Sequence, residues 1–375
     1  MEIETTAGAL RSALKLMRGL IKKRATIPVL GMVKLADGAV SGTDLDIVLS
    51  VKMPASRFVG AGLVPFAPLD ALSRGFDDGQ TVTLKSADGY AVVLESGQSR
   101  YVLPGLPVDD FPELSMPEDL KPVRVSGEKL KDAVSFVKPY ISEEETRYYL
   151  NGVAIRDCEV VATDGHRLGL AEGVLEEPVD ETLILHKNLV ALLVKLPPCT
   201  SVLYRDCRLK LEAPGVTVCS KLIDGTYPDF RRVIPTGVMR MLQFDRAAAC
   251  ASLRRLKAVG GPARKPVGIA SNGKTLVFAA TDSCGETGLE AMACTGEAMS
   301  VEFNIAYLSG ALRMMDGEDV IFLRNGEKGS PIRLDCGQRR TIVIMPMLES
   351  KTGQIAREAL DDTRVDDRPQ LAKAQ

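Results

Sequence analysis

Apolar residues at the start of the chain recur with helical spacing: Leu10, Leu14, Met17 and Ile21 form one stripe of residues 7–24, with Arg11, Lys15, Arg18 and Lys22 on the neighbouring face. After Pro28 the pattern changes to alternating runs suited to strands at 32–35, 47–51, 81–84 and 90–94, and a further run at 99–103 leads into the proline-rich connector 106–112. A short helix at 67–75 interrupts these runs and ends in Ser73-Arg74-Gly75. The same order then starts again. A helix over 128–140 and another over 244–259 each open a new series of strands, the last at 275–278, 299–303, 320–323 and 341–344. Two helices and several antiparallel strands per copy make an α+β chain.

Three landmarks share one spacing. Thr-Asp pairs stand at Thr43-Asp44, Thr163-Asp164 and Thr281-Asp282, 120 and 118 residues apart. An apolar or aromatic residue followed by Pro gives Phe111-Pro112, Tyr227-Pro228 and Met345-Pro346, 116 and 118 apart. Short helical patterns begin near Pro68, Lys187 and Asn304. One dipeptide match carries nothing, but three features in one register argue for three similar domains. The period is too long for a solenoid, so each copy owns a core. The expected bounds are 1–120, 121–240 and 241–348. The remaining 349–375, charged and poor in large apolar residues, is expected to be a disordered tail with a turn or two of helix near 354–360.

Composition sharpens this only in places. A chain of 375 residues with 45% hydrophobic content fills ordinary cores. The formal charge of −2 hides a sorted distribution. Residues 7–24 carry six cations and no acid, and Lys129, Lys131, Lys138, Arg246, Arg254, Arg255 and Lys257 load the other two leading helices. Acids cluster at Asp77-Asp78, Asp109-Asp110, Glu143-Glu144-Glu145 and Glu176-Glu177. A charged helix face is usually a solvated one, but an unmixed sign forgoes Glu–Lys pairing and fits a cationic surface for phosphates. Eight scattered cysteines without a C-x-x-C, and two histidines, indicate neither a metal site nor a disulfide framework. No window of 18 uncharged apolar residues and no leader pattern occur, so the expectation is a cytoplasmic protein with no membrane partner.

Longer motifs make a resemblance specific. Arg147-Tyr148-Tyr149-Leu150-Asn151-Gly152, Ala162-Thr163-Asp164-Gly165-His166-Arg167-Leu168, the run at 220–235 containing Asp224-Gly225-Thr226-Tyr227-Pro228-Asp229-Phe230, and the ending Met345-Pro346-Met347 closely resemble the bacterial DNA polymerase III β subunit, the sliding-clamp family. Thr26-Ile27-Pro28-Val29-Leu30, Gly42-Thr43-Asp44-Leu45 and Leu106-Pro107-Val108-Asp109-Asp110-Phe111-Pro112 fit its first domain. Coverage runs to about residue 348.

That resemblance implies the DNA clamp fold and a head-to-tail homodimeric ring through which double-stranded DNA passes without base readout. It implies a processivity factor, not a catalyst, with no cofactor and no metal. Its partners would be DNA polymerase and clamp-loader subunits bearing short linear motifs. Carried over residue by residue, DNA contacts fall on Arg24, Arg74, Tyr148, Tyr149 and Lys195. The partner-peptide pocket falls on Thr163, Gly165, His166, Arg167, Leu168, Pro235, Val238, Asn304, Tyr307, Val343, Met345, Pro346 and Met347. The dimer interface falls on Tyr101, Leu103, Ala258 and Val259.

Three rival readings accompany it, one of them an interaction scaffold without DNA. A specialised plasmid, phage or resistance paralogue would keep the ring and change the partner pocket. A phosphate-processing enzyme would use Asp164, His166 and Arg167 as its catalytic set, with His166 as general base. No phosphate-cradling Gly loop or nucleophile motif accompanies that set. A tail leaving beside the pocket would also be placed to compete for it, and Gln370-Leu371 weakly echoes a clamp-binding peptide.

Overall fold

In the computed structural model, which describes residues 1–22, 26–259, 266–325 and 329–365, the alternating runs become antiparallel strands. They belong to two compact units. The first gathers Met1–Lys138, Asn151–Glu159 and Val174–Thr226; the second gathers Pro139–Leu150, Val160–Gly173 and the chain from Tyr227 onward. The middle repeat is therefore divided between the units, because it lends strands to both. Val216–Lys221 pairs with Ile47–Lys52 in the first unit, and Arg167–Ala171 pairs with Arg340–Ile344 in the second.

The first unit holds a five-stranded sheet ordered Ala55–Val59, Glu2–Thr6, Thr81–Ser86, Val92–Ser96, Ser99–Leu103. An eight-stranded sheet runs Lys121–Pro122, Ser201–Arg205, Arg208–Ala213, Val216–Lys221, Ile47–Lys52, Ala39–Thr43, Met32–Ala36, Gly62–Pro65. Gly152–Asp157 pairs with Val179–His186. Its helices are α1 (Ala7–Met17), α2 (Phe66–Gly75), α3 (Gly127–Val137) and α4 (Lys187–Leu193). The second unit carries Arg167–Ala171, Arg340–Ile344, Ile332–Asp335, Asp319–Arg324, Met239–Asp245, Thr287–Gly296, Thr275–Thr281, Pro266–Asn272 and Ala298–Asn304 as successive neighbours, with α5 (Arg246–Leu256), α6 (Ile305–Arg313) and α7 (Lys351–Val365).

The first two Thr-Asp landmarks are the same turn, and the third is that turn with one residue more. The Asp side chain takes the amides that reverse the chain: Asp44 Oδ1 accepts from Asp46 and Ile47 at 3.1 and 2.8 Å, Asp164 Oδ1 from His166 and Arg167 at 2.9 and 3.0 Å, and Asp282 Oδ1 from Cys284 and Glu286 at 3.0 and 2.7 Å. Backbone bonds from Asp44, Asp164 and Asp282 to the carbonyls of Ile47, Arg167 and Glu286 close all three. Short polar side chains are favoured there because they replace backbone partners within a turn.

The first leading helix buries its apolar stripe, with Leu10, Leu14, Met17 and, just beyond it, Ile21 at most 5% exposed. The first one ends at Met17, short of residue 24, since Arg18 turns aside to bond Asp70 on α2 at 2.8 Å. A cation from each leading helix also reaches carbonyls at the end of the second helix of its repeat. Arg11 donates to Ser73 O and Phe76 O, Lys131 to Leu196 O at 2.6 Å, and Arg246 to Leu312 O and Gly317 O. Those carbonyls are the unpaired, partly negative end of a helix, where a cation is favourable.

The expectation of a disordered tail fails over Lys351–Val365, which is helical. Ala356 and Leu360 pack on Ala270, Val277 and Ala279, so the small apolar positions that look sparse in sequence match a sheet face built of small residues. Residues 366–375, with Gln370-Leu371, lie outside the described residues. Of the eight cysteines, Cys294 and Cys336 are buried, Cys284 is exposed and five are half-buried. No helix among the described residues is long and apolar enough to cross a membrane.

His186 caps α4, its Nδ1 accepting from the Asn188 amide at 3.2 Å. Burial, helped by the Lys187 charge and opposed by Asp46 and Asp44, holds its pKa below the usual histidine value. The unfolded chain binds a proton near pH ~6.5 that the folded chain resists, so stability present above that pH falls as pH drops toward the lowered folded value. The melting midpoint should be lower at about pH 5.5 than at neutrality, and His186→Asn, which keeps an acceptor at the cap, should reduce the difference in a calorimetric scan.

Candidate functional site

Strand Arg167–Ala171 lies beside Arg340–Ile344 with Leu168 opposite Val343, and these two side chains line a cavity of about 250 Å³ in the second unit. The Thr163-Asp164 turn forms one lip. Thr163 Oγ1 accepts from the Gly165 amide at 3.1 Å and donates to Arg167 O at 2.8 Å. Gly165 has φ +86°, a backbone conformation that favours glycine, and a Cβ there would stand 2.6 Å from Arg147 Nη1 and push that side chain aside. The Met345 amide donates to His166 O at 2.8 Å, which holds Met345 beside that lip.

Arg167 is the hub of the polar side. Its Nε donates to Asp164 Oδ2 at 2.9 Å, and its guanidinium lies 4.3 Å from the Tyr307 ring centre and 5.5 Å from that of Tyr140. His166 stacks on Tyr307 at 6.3 Å. Arg147 donates to Glu144, and that bond, with Thr146, holds the Glu144 carboxyl below the usual carboxylate range. Arg147, just beyond the 143–145 run, thus neutralises part of its acidic character.

Of the residues carried over to a pocket, Thr163, Gly165, His166, Arg167, Leu168, Val343 and Met345 line this cavity together. Tyr307 adjoins it through His166 and Arg167. The others do not line it: Pro235 is buried, Val238 half-buried, and Asn304 caps α6 by accepting from Ala306 at 2.9 Å. Pro346 and Met347 line a second cavity of about 280 Å³. Sequence reasoning left out Arg147, Leu150, Pro228, Asp229, Phe230 and Val233. The signal for all six was present, since they sit in the 147–152 and 220–235 motifs, which served only as marks of resemblance or, for Tyr148 and Tyr149, of DNA contact.

Tyr149, carried over as a DNA contact, lines this cavity and meets Tyr148 edge-on at 5.8 Å; Tyr148 is exposed. In the first unit, Arg74 is half-exposed and pairs with Asp70 at 3.2 Å, while Lys195 is exposed near Gly19. Arg24 lies outside the described residues. The cationic face of α1 is smaller than its sequence implies, because Arg11 and Arg18 are tied to α2; Lys15 and Lys22 remain exposed. Leu103 points into its own core at 6% exposure, whereas Tyr101 and Val102 beside it are exposed. Ala258 is exposed and Val259 half-buried against Gly288.

Apolar walls of Leu150, Leu168, Phe230, Val233, Val343 and Met345 under a polar rim suit an apolar side chain presented by an extended segment. Acid–base work is excluded for Asp164, whose two oxygens are committed to two amides and to Arg167. Among the described residues no three His, Cys, Asp or Glu side chains gather as a metal site. Asp164→Ala should destabilise the protein by about 2 kcal/mol in denaturant unfolding, since it frees three donors from a charged acceptor. His166→Ala, at an exposed position, should stay within about 0.5 kcal/mol of the parent.

Comparison with known proteins places these residues in a family. Residues 1–115 match the DNA polymerase III beta subunit, N-terminal domain, and residues 124–229 match its central domain. The beta sliding clamp of Caulobacter vibrioides is 28% identical over 353 residues, covering 88% of this chain and 95% of the relative. A Caulobacter crescentus beta sliding clamp with polyethylene glycol bound to a putative beta-motif tethering region superposes with a TM-score of 0.86 at 28% identity, covering 93% of this chain and 99% of that one. The Bartonella birtlesii sliding clamp bound to griselimycin gives a TM-score of 0.86 at 25% identity, covering 93% and 100%.

Proposed function

Because the chain belongs to the DNA polymerase III β subunit family, we propose that two copies close head to tail into a ring around duplex DNA. Its function is that of a DNA sliding clamp, an accessory processivity factor and not a catalyst, with DNA and polymerase as partners. The chain is read as three clamp repeats, near 1–120, 121–240 and 241–348, with α7 added to the third.

One observation carries the ring. Twice within the chain, the strand that follows a Thr-Asp turn is paired by a strand that precedes an apolar-Pro landmark: Ile47–Lys52 by Val216–Lys221, and Arg167–Ala171 by Arg340–Ile344. A third set of the same elements is unmatched. Thr287–Gly296 follows Thr281-Asp282, and over residues 287–293 it pairs only with Thr275–Thr281 among the described residues. Ser99–Leu103, which precedes Phe111-Pro112, is the edge of its sheet. Both present apolar side chains to solvent, Val102 at 58% and Leu289 at 52% exposure. Open apolar edges favour pairing with another chain. Two different edges make a heterologous contact, which closes a ring when the rotation permits.

The exposed cations of the leading helices supply sequence-independent attraction to phosphates, which permits sliding. The cavity at Leu168 and Val343 takes the short linear motifs of polymerase and clamp-loader subunits, an apolar cleft with a methionine being suited to varied peptides.

Sedimentation at micromolar concentration should give a dimer, and Val102→Asp or Leu289→Asp should each shift it to monomer; a parent protein that remains monomeric overturns the ring. Once loaded, the protein should survive salt on circular DNA and slide off linear DNA, with Lys195→Glu lowering loading. Equal retention on the two DNAs would count against encirclement.

A further inference from the structure

Glu302 lies on strand Ala298–Asn304 with 2% of its surface exposed. A carboxylate buried to that degree destabilises the fold unless donors surround it. The amides of Ser350 and Gly353 donate to Oε1 at 2.7 and 2.6 Å, and Ser350 Oγ lies 2.9 Å from Oε2. These groups belong to the start of α7, whose first amides have no partner inside the helix and whose N-terminal end is partly positive. Glu302 thus caps the helix from a neighbouring strand. Gly353 leaves the room, since a Cβ there would collide with Oε1.

The backbone of the same residue holds the segment before the helix. Glu302 O accepts from the Met347 amide at 2.8 Å, while His166 O holds the Met345 amide at 2.8 Å. Residues 345–350 are therefore a strap fixed at three points between the Thr-Asp turn and α7. Met345 lines the first cavity, and Pro346, Met347 and Leu348 line the second, beside Glu302 and Arg357. At its far end α7 is held by Ala356 and Leu360 on the sheet, away from the first cavity.

We propose that Glu302 is a positioning residue for the partner cleft: by capping α7 and holding Met347 it fixes the rim that Met345 contributes, so helix docking and ligand binding stabilise each other. The inference rests on reading the first cavity as the partner site. It gives the C-terminal extension a sign opposite to competition. Removing the helix weakens binding, and by linkage a ligand in the cleft tightens the helix.

The test compares the full chain with Glu302→Ala, Glu302→Gln, Gly353→Val and a chain ended after Leu348, using griselimycin as the titrated probe and amide hydrogen exchange as a second readout. In Glu302→Ala and Gly353→Val, exchange at the Met347 amide should rise about tenfold with the loss of charge-assisted bonds, and Glu302→Gln should recover part of it. Exchange within Arg340–Ile344 should not change. Griselimycin affinity should fall about threefold or more in those variants and in the shortened chain, and saturating griselimycin should slow exchange at the start of α7 in the parent. Unchanged Met347 exchange, or tighter binding by the shortened chain, overturns the proposal. Met345→Ala separates the two readings. If it leaves the titration unaltered, the partner-site reading fails, and Met347 exchange alone decides whether Glu302 holds the strap.

Discussion

An antiparallel strand with one unpaired edge carries a row of unmet donors and acceptors, and the arrangement of this chain follows from how those edges are closed. The Thr-Asp turn begins each strand that receives a neighbour from the next repeat. Its Asp side chain satisfies the amides of the reversal itself, so the strand beyond it leaves the turn with its outer edge free for pairing. That is why Val216–Lys221 joins a sheet of the first unit and Arg340–Ile344 one of the second, and why the middle repeat has no separate sheet of its own. The remaining pair of edges is where the proposed second copy would join.

Electrostatics is layered on that frame. A leading helix rich in cations looks like a phosphate-binding face, yet its charges divide into two uses. Arg11, Lys131 and Arg246 neutralise carbonyls at helix ends, and Arg18 shares the buried Asp70 with Arg74. What remains for DNA is a thinner set of exposed lysines and arginines. A thin set fits a protein retained by topology, because attraction only has to hold the duplex loosely while it slides.

The cleft and the C-terminal extension meet in one short strap. Met345 belongs to the apolar wall, and two residues later the backbone is bonded to the strand that caps α7. A rim held by a buried carboxylate is stiffer than one ending in a free terminus, and stiffness at a contact surface limits the ordering penalty of binding.

Local chemistry in the sequence determined much of this protein. Alternation of apolar residues gives the strands, stripes such as Leu10, Leu14 and Met17 give the helices, and the Thr-Asp spacing gives the repeat, since each depends on residues a few positions apart. Five of the thirteen residues carried over to the pocket, Thr163, Gly165, His166, Arg167 and Leu168, line one cavity because the Thr-Asp turn and the strand after it are contiguous in the chain, whereas Val343 and Met345 join them only through pairing with that strand and turn. The tertiary structure alone decided the rest. Phe230 and Val233 join the cavity through a loop more than sixty residues beyond Leu168. Arg11 leaves the phosphate-facing set for Ser73, and the weakly apolar extension becomes a helix because Glu302, 51 residues before Gly353, supplies its cap. Burial and partner choice depend on which distant groups arrive at a site, and a local period carries no record of them.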